Sequence, residues 1–204
     1  CRNLGISSLE GIEYFSDLNT LFCAQNSLSE IKGLEHLDLT FLNCSSNQLT
    51  HLNGLENSTH LKFLYTYDNA LNDFVVPGQF PFLEVYWTYL NPARVATLDL
   101  RNNTVLRELR IEDAGIETVL GIPNLVNLTD FNLNLNNVSD ISGLENATGL
   151  RTLNVAGNQL TSVPLPSNFA DLVIYRIRQN PLTVGELDLS INTKLQQLWA
   201  EFVG

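Results

Sequence analysis

The sequence has 204 residues, with 22 acidic and 11 basic side chains, so its formal net charge at pH 7 is −11. Because nucleic-acid binding depends on lysines and arginines that neutralise phosphates, this balance excludes nucleic acid as the expected partner. Hydrophobic residues make up 44% of the chain, which is enough for a continuous core. No apolar stretch approaches the roughly 20 residues that a membrane helix needs, so we predict a domain that does not insert into a membrane.

A nine-residue pattern runs through the chain: leucine, two variable residues, leucine, one variable, an apolar residue, two variable, and asparagine. In chain order it appears as LNTLFCAQN, LTFLNCSSN, LKFLYTYDN, LEVYWTYLN, LRELRIEDA, LTDFNLNLN, LRTLNVAGN, LVIYRIRQN and the truncated LQQLWAEFV. Its apolar position falls at residues 1, 23, 44, 66, 88, 111, 133, 155, 177 and 200, in steps of 21 to 23 residues. A period of this length predicts stacked units that share one core.

Each unit is predicted to supply a short strand, a turn and a return stretch, and the strands to form one parallel sheet of ten. The return stretches have room only for a turn of 3₁₀ helix or extended chain, so we expect little helix. We predict a single domain over residues 1–204, with about ten units and truncated first and last ones. Since the chain opens at Cys1 and contains no methionine, we expect a fragment or a processed form.

Several return stretches share one style, as in SEIKGLEHL from Ser29, THLNGLENSTHL from Thr50 and SDISGLENATGL from Ser139. Together with the nine-residue pattern, they make the chain resemble leucine-rich repeat proteins over nearly its whole length, in the 22-residue style of internalin-type bacterial surface proteins. The resemblance implies an α/β-class solenoid arc with its parallel sheet on the concave face. It also implies a ladder of buried asparagines, interrupted at Leu4 and Ala114 and made of Asn26, Asn47, Asn69, Asn91, Asn136, Asn158 and Asn180. We expect the caps that such an arc needs to be missing from this chain.

The variable positions of the strands are predicted to face the concave surface. Aromatic side chains cluster there on two neighbouring strands, and a charged strand follows them. Exposed aromatic patches with polar rims mark interaction sites, whereas the alternative is that these rings only stabilise the sheet. We predict a partner-binding site made of Phe63, Tyr65, Tyr67, Trp87, Tyr89, Arg110 and Glu112.

The cysteines Cys1, Cys23 and Cys44 share the inward apolar column and are predicted to be free core thiols. Catalytic constellations, phosphate-binding loops and metal-spaced clusters do not emerge from the sequence, so we predict a protein that is not an enzyme and holds no cofactor or metal. Glu13, Glu35, Glu56 and Glu145 recur in one column, which fits either a solvated face or the start of a helical turn.

The leading functional hypothesis is an adhesion module that binds a partner protein, host or cell-surface, through its concave face. A secreted or cell-surface location in a bacterium follows from the resemblance alone. The alternatives are a carbohydrate-binding surface module, in which tyrosine and tryptophan faces stack on sugar rings, and an intracellular scaffold. We expect the ends of the arc, at Cys1 and at Val203–Gly204, to be covered by further domains or to associate.

Overall fold

The computed structural model describes residues 1–73, 77–164, 166–183 and 187–201. Val203–Gly204, predicted as an exposed end, lie outside the described residues. Nine three-residue strands form one parallel sheet, and two more form a second. The large sheet contains β1 (Thr20–Phe22), β2 (Phe41–Asn43), β3 (Phe63–Tyr65), β4 (Val85–Trp87), β6 (Glu108–Arg110), β8 (Asp130–Asn132), β9 (Thr152–Asn154), β10 (Ile174–Arg176) and β11 (Gln197–Trp199), in that order. The small sheet pairs β5 (Thr97–Asp99) with β7 (Thr118–Leu120).

The register of the large sheet repeats without slippage. Leu21 lies opposite Leu42, which lies opposite Leu64, and the same inward position continues to β11. From β1 to β10 this central side chain is buried. Because side chains alternate along a strand, burying the central one turns its two neighbours to the opposite face of the sheet. The predicted solenoid arc is confirmed.

The return stretches contain extended chain and five 3₁₀ helices of one turn, as the sequence predicted. They are η1 (Ile12–Tyr14), η2 (Pro77–Gln79), η3 (Ile122–Asn124), η4 (Leu144–Asn146) and η5 (Pro166–Asn168). The expectation of ten strands was wrong by one. Cys1, in the apolar position of the first unit, is not part of a strand, but its amino group donates to the carbonyl of Phe22 at 3.0 Å. Among the described residues, no helix is long and apolar enough to span a bilayer.

The asparagine ladder is present and joins each unit to the one before it. In Asn158, Oδ1 accepts from the backbone N–H of Val138 at 3.0 Å. Its Nδ2 donates to the carbonyls of Leu133 and Val155 at 2.9 and 3.0 Å. The residue just before each ladder position has a left-handed backbone, as in Leu90 with φ 55° and Leu135 with φ 58°. This turn directs the following amide inward, where it pairs buried backbone groups.

A second set of asparagine contacts, which the sequence analysis missed, crosses the convex side. Asn103 donates to the carbonyls of Pro77 and Phe80, both at 3.0 Å. Asn192 makes the same pair of bonds to Pro166 and Phe169, at 3.0 and 2.8 Å. The return stretches that contain the sequence Leu-Asp-Leu, at residues 98–100 and 187–189, therefore each pack against a preceding Pro-x-x-Phe turn. The sequence contained a signal for these contacts, because a Pro-x-x-Phe stretch is followed by a Leu-Asp-Leu stretch at two places in the chain.

The recurring glutamates close their own turns. A carboxylate oxygen of Glu35 accepts from the backbone N–H of Gly33 at 2.8 Å, and Glu145 accepts likewise from Gly143 at 2.9 Å. Glu13 and Glu56 make the equivalent bonds. Both glycines have φ near +95°, a backbone region that L side chains rarely adopt. Glu13 and Glu145 lie in 3₁₀ helices, as the helical-turn interpretation predicts, whereas Glu35 and Glu56 lie in turns, and three of the four are exposed, as a solvated face predicts.

The inward column carries cysteine and threonine in the first half of the arc. Cys23 and Cys44 are fully buried free thiols, as predicted. The prediction of a core thiol was wrong for Cys1, which is free but exposed because no described unit stacks on it. Burial raises the pKa of Cys23 to about 11 and that of Cys44 well above its ordinary value. Thr66 and Thr88 follow in the same column, where the sequence analysis expected apolar residues. Their buried hydroxyls lie beside that of Tyr86, which occupies a fully buried leucine position, but make no hydrogen bond within the described residues.

Candidate functional site

Three rows of side chains run across the concave face of the large sheet. The first row holds Phe41, Phe63, Val85 and Glu108, the second Phe22, Tyr65, Trp87 and Arg110, and the third Tyr67, Tyr89 and Glu112. All seven predicted binding residues lie on this one face. Each of them is half-buried, because the strands are close enough for large neighbouring side chains to cover one another.

Aromatic rings contact one another continuously from β1 to β4, and we call this set the aromatic surface: Phe22, Phe41, Phe63, Tyr65, Tyr67, Trp87 and Tyr89. The ring centroids of Phe22 and Phe41 are 4.3 Å apart, and Phe41 lies 5.6 Å from Tyr65. Tyr65 meets Trp87 edge to face at 5.2 Å. Such geometry is favoured by the ring quadrupoles, so the rings hold one another in place.

The third row adds a parallel pair of tyrosines. The rings of Tyr67 and Tyr89 are 4.8 Å apart and inclined by only 2°. Burial, more than any neighbouring charge, raises the pKa values of Tyr65 and Tyr89. Their hydroxyls are therefore neutral at physiological pH and can donate or accept hydrogen bonds.

A guanidinium group closes the aromatic surface on the side of β6. Arg110 lies over the Trp87 ring, with its Cζ 4.1 Å from the ring centroid. The same guanidinium pairs with the carboxylate of Asp130 at 3.6 Å. Beside it, Glu112 accepts from the side-chain amide of Asn132 at 2.7 Å. Sequence reasoning named Arg110 and Glu112 but missed Asp130 and Asn132, which follow once the strand register is known.

A second tryptophan–arginine group lies at the other end of the concave face. The Cζ atoms of Arg176 and Arg178 are 4.1 and 4.5 Å from the centroid of the Trp199 ring. Trp199 is 40% exposed. Arg176 and Trp199 occupy the same position of the repeat in consecutive units, so the sequence contained the signal for this contact.

Metal chemistry has no support in the described part of the chain, where no three histidine, cysteine or acidic side chains are placed to share an ion. The concave face instead offers a broad, ordered surface of aromatic and charged side chains. A surface of this kind can bind a large partner by contact area and by charge.

Solved structures of other proteins share this architecture. The functional domain of InlJ from Listeria monocytogenes, whose structure is described as including a cysteine ladder, matches with a TM-score of 0.72 and 27% identity, over 96% of this chain and 46% of its own. An internalin, InlF, from Listeria monocytogenes matches with a TM-score of 0.75 and 23% identity, over 98% of this chain and 66% of its own.

A plant protein gives a third match. It is the leucine-rich repeat ectodomain of the receptor kinase GASSHO1/SCHENGEN3 from Arabidopsis thaliana, in complex with CASPARIAN STRIP INTEGRITY FACTOR 2. The TM-score is 0.65 and the identity 26%, over 81% of this chain and 22% of that one. No protein-family model matches the chain, and neither does any curated protein sequence. The chain has an internalin-like leucine-rich repeat architecture and spans about half the length of the InlJ domain.

Proposed function

We propose that this internalin-like leucine-rich repeat domain is a non-enzymatic protein-binding module, and that a partner protein rests against its aromatic surface. The observation that carries the proposal is the continuous contact of seven aromatic side chains on the solvent face of β1 to β4. The leucines and the asparagine ladder already form the core on the other face. Tyrosine and tryptophan also dominate the energetics of protein interfaces.

The rings are already ordered before a partner arrives. Phe41 contacts Phe22, Phe63 and Tyr65, so its position is set from three sides. Ordering side chains on binding costs about 0.5–1.5 kcal/mol for each rotamer-rich group. A surface whose rings stack on one another in the free protein avoids part of that cost. This pre-organisation favours the proposal that the aromatic surface binds a partner over the alternative that its rings only stabilise the sheet.

The polar edge of the aromatic surface supplies direction. Arg110 and Glu112 are held by Asp130 and Asn132, so each presents its charge in a defined place. We propose that these two residues bind polar groups of the partner at the border of the apolar contact. A partner with one apolar patch flanked by charged groups fits this arrangement.

The setting is proposed from the similarity to internalins. A secreted or cell-surface domain that binds a protein of a host or neighbouring cell agrees with the fold and with the absence of a membrane-spanning helix among the described residues. The plant receptor ectodomain shows the same fold in a complex with another protein.

The test is a pull-down from solubilised surface proteins of candidate cells, with wild type and a Tyr65→Ala/Trp87→Ala variant as baits. We expect a specific partner to bind the wild type and to be lost from the variant. A Tyr14→Ala/Phe15→Ala variant removes two exposed aromatic residues outside the concave face and serves as the matched control. Circular dichroism and thermal unfolding establish that all three proteins are folded.

The result that contradicts the proposal is equal recovery of the partner by wild type and by the Tyr65→Ala/Trp87→Ala variant. A Tyr67→Ala/Tyr89→Ala variant gives a second test, because these two rings form their stacked contact on the outer row. Treating the cell material with protease or with glycosidase identifies the ligand class. Loss of binding after glycosidase but not after protease replaces the protein partner by a carbohydrate.

A further inference from the structure

The group formed by Arg176, Arg178 and Trp199, the Arg–Trp cluster, differs from the aromatic surface in its charge balance. Both guanidinium groups lie over one indole ring, at 4.1 and 4.5 Å from its centroid. Arg176 also donates to the side-chain oxygen of Gln197. This places two positive charges on one small part of the concave face, in a protein whose net charge is −11.

Within the described ranges, neither guanidinium forms an ion pair. Arg110, the equivalent residue of the aromatic surface, has the carboxylate of Asp130 at 3.6 Å. At the positions beside Arg176 and Arg178, β9 and the residues after it carry Asn154 and Ala156, which are uncharged. The Nε atoms of both arginines are buried and donate to no acceptor in the part of the chain that the structure covers. Two positive charges at this distance repel each other, and an anion that binds to both offsets the repulsion.

Glu201 is the acidic side chain nearest in register to Arg178. The backbone N–H of Gln179 donates to the Glu201 carbonyl at 3.4 Å, which sets the two chains side by side. The Glu201 side chain is nevertheless exposed and makes no ion pair within the described residues. An exposed pair between these two groups would be weak, since water screens it and both side chains lose freedom. Glu201 therefore leaves the cluster free for a stronger ligand.

We propose that the Arg–Trp cluster binds carboxylate groups of an acidic peptide segment in the partner. Guanidinium groups match carboxylates in charge and in the planar geometry of their donors. The indole ring holds both guanidiniums from behind and offers apolar area to the aliphatic part of an acidic side chain. This site is independent of the aromatic surface, so either can fail its test without the other.

The test uses hexaglutamate as the probe and Trp199 as the reporter. Trp87 and Trp199 are the only two tryptophans, and the buried indole N–H of Trp87 has no acceptor among the described residues. A Trp87→Phe protein therefore loses no hydrogen bond there and reports on Trp199 alone. We expect saturable changes in its fluorescence with hexaglutamate and none with hexaglutamine. A salt concentration of about 0.15 M suppresses the long-range repulsion between two acidic molecules.

In the same Trp87→Phe background, Arg176→Gln/Arg178→Gln should weaken hexaglutamate binding by about tenfold or more. Arg107→Gln/Arg151→Gln removes the same charge from two exposed arginines of another column and is the matched control, with an expected change below about twofold. Glu201→Gln should leave binding unchanged or tighten it.

Three results would overturn the proposal. The first is no saturable binding of hexaglutamate, and the second is equal weakening by the two double variants, which would show only a net-charge effect. The third is binding of a heparin fragment, lost in Arg176→Gln/Arg178→Gln, at concentrations where hexaglutamate does not bind. That result would assign the cluster to sulfated carbohydrate.

Discussion

The two halves of the arc differ on both faces of the same sheet. From β1 to β4 the concave face is aromatic, and the inward column behind it carries Cys23, Cys44, Thr66 and Thr88. From β6 to β10 the concave face is mostly polar or charged, and the inward column carries Ile111, Leu133, Val155 and Ile177. The strand register runs through both halves, and so does the asparagine ladder, which is interrupted between β1 and β10 at Ala114.

This contrast separates scaffold from surface. A side chain that bonds to the backbone of the neighbouring unit is required in every repeat, and this requirement does not depend on which residues lie on the concave face. A side chain on the concave face contacts other side chains of that face and leaves the backbone bonds between units unchanged, so it is free to be aromatic in one half and charged in the other. Substitutions in the ladder should therefore lower the free energy of unfolding by similar amounts in both halves. Substitutions at other positions should have effects that differ between the halves.

The largest effect is expected from the ladder itself. Asn158→Ala would leave the N–H of Val138 and the carbonyls of Leu133 and Val155 without their amide partner. We expect a loss of roughly 2–4 kcal/mol in the free energy of unfolding, measured by urea denaturation. Asn69→Ala in the aromatic half should cost a similar amount, since its bonds are equivalent.

Asn53→Ala, in an exposed return stretch, is the control and should change the free energy of unfolding by less than about 0.5 kcal/mol. If the ladder variants differ from each other by more than they differ from this control, the two halves do not share one scaffold.

The polar group inside the aromatic half should give the next largest effect. Tyr86→Phe removes a fully buried hydroxyl that lies beside the buried hydroxyls of Thr66 and Thr88. We expect a loss of about 1–3 kcal/mol in the free energy of unfolding. Adding Thr66→Val and Thr88→Val should restore much of it, because an apolar group of similar shape replaces each buried hydroxyl.

Tyr175→Phe provides the comparison in the other half. The hydroxyl of Tyr175 donates to the carbonyl of Pro164 at 3.0 Å, and no side-chain cluster depends on it. Its loss should cost about 1 kcal/mol, with no rescue by valine at other positions. A triple variant of Tyr86, Thr66 and Thr88 that is less stable than Tyr86→Phe would contradict the shared cluster.

Alkaline pH should act on the aromatic half through its buried thiols. The pKa of Cys23 is raised by burial to about 11, above its value of about 9 in the unfolded chain. The neutral thiol stabilises the fold fully below pH 9, and this contribution is lost as the pH rises from 9 to 11. We expect the free energy of unfolding to fall by about 1 kcal/mol at pH 10 from this residue.

In the variant Cys23→Ala/Cys44→Ala, the free energy of unfolding should fall less steeply between pH 8 and 10 than in wild type. Both proteins contain the same tyrosines, so the difference between them reports on the thiols. An independent check is the reaction with Ellman's reagent at pH 8. The exposed Cys1 should react in the native protein, and all three thiols should react after unfolding. Fast reaction of three thiols in the native state would contradict the burial of Cys23 and Cys44.

The sequence was enough to predict the arc, because one period specifies the strand, the turn and the ladder together. It also placed the seven predicted binding residues on one face, since alternation along a strand decides the side on which each residue lies. It could not predict the pairing of Arg110 with Asp130, which depends on the distance between two side chains. The convex bonds of Asn103 and Asn192 were missed because they join return stretches of unlike sequence, and their signal in the sequence is only that this pair of stretches occurs twice.

The smallest effect should come from the left-handed turn that precedes each ladder position. Leu90 in the aromatic half and Leu135 in the other half both adopt positive φ values, which cost about 1–2 kcal/mol for most side chains and less for asparagine. Leu90→Asn should therefore raise the free energy of unfolding by about 0.5–1 kcal/mol. Leu135→Asn should raise it by less, because Leu135 packs close to Gly157 and the substitution removes that contact.

The control is Val105→Asn, at a position that is also exposed but has no positive φ, and this substitution should not be stabilising. Stabilisation by all three substitutions would show that lower surface hydrophobicity, and not the backbone conformation, is the cause.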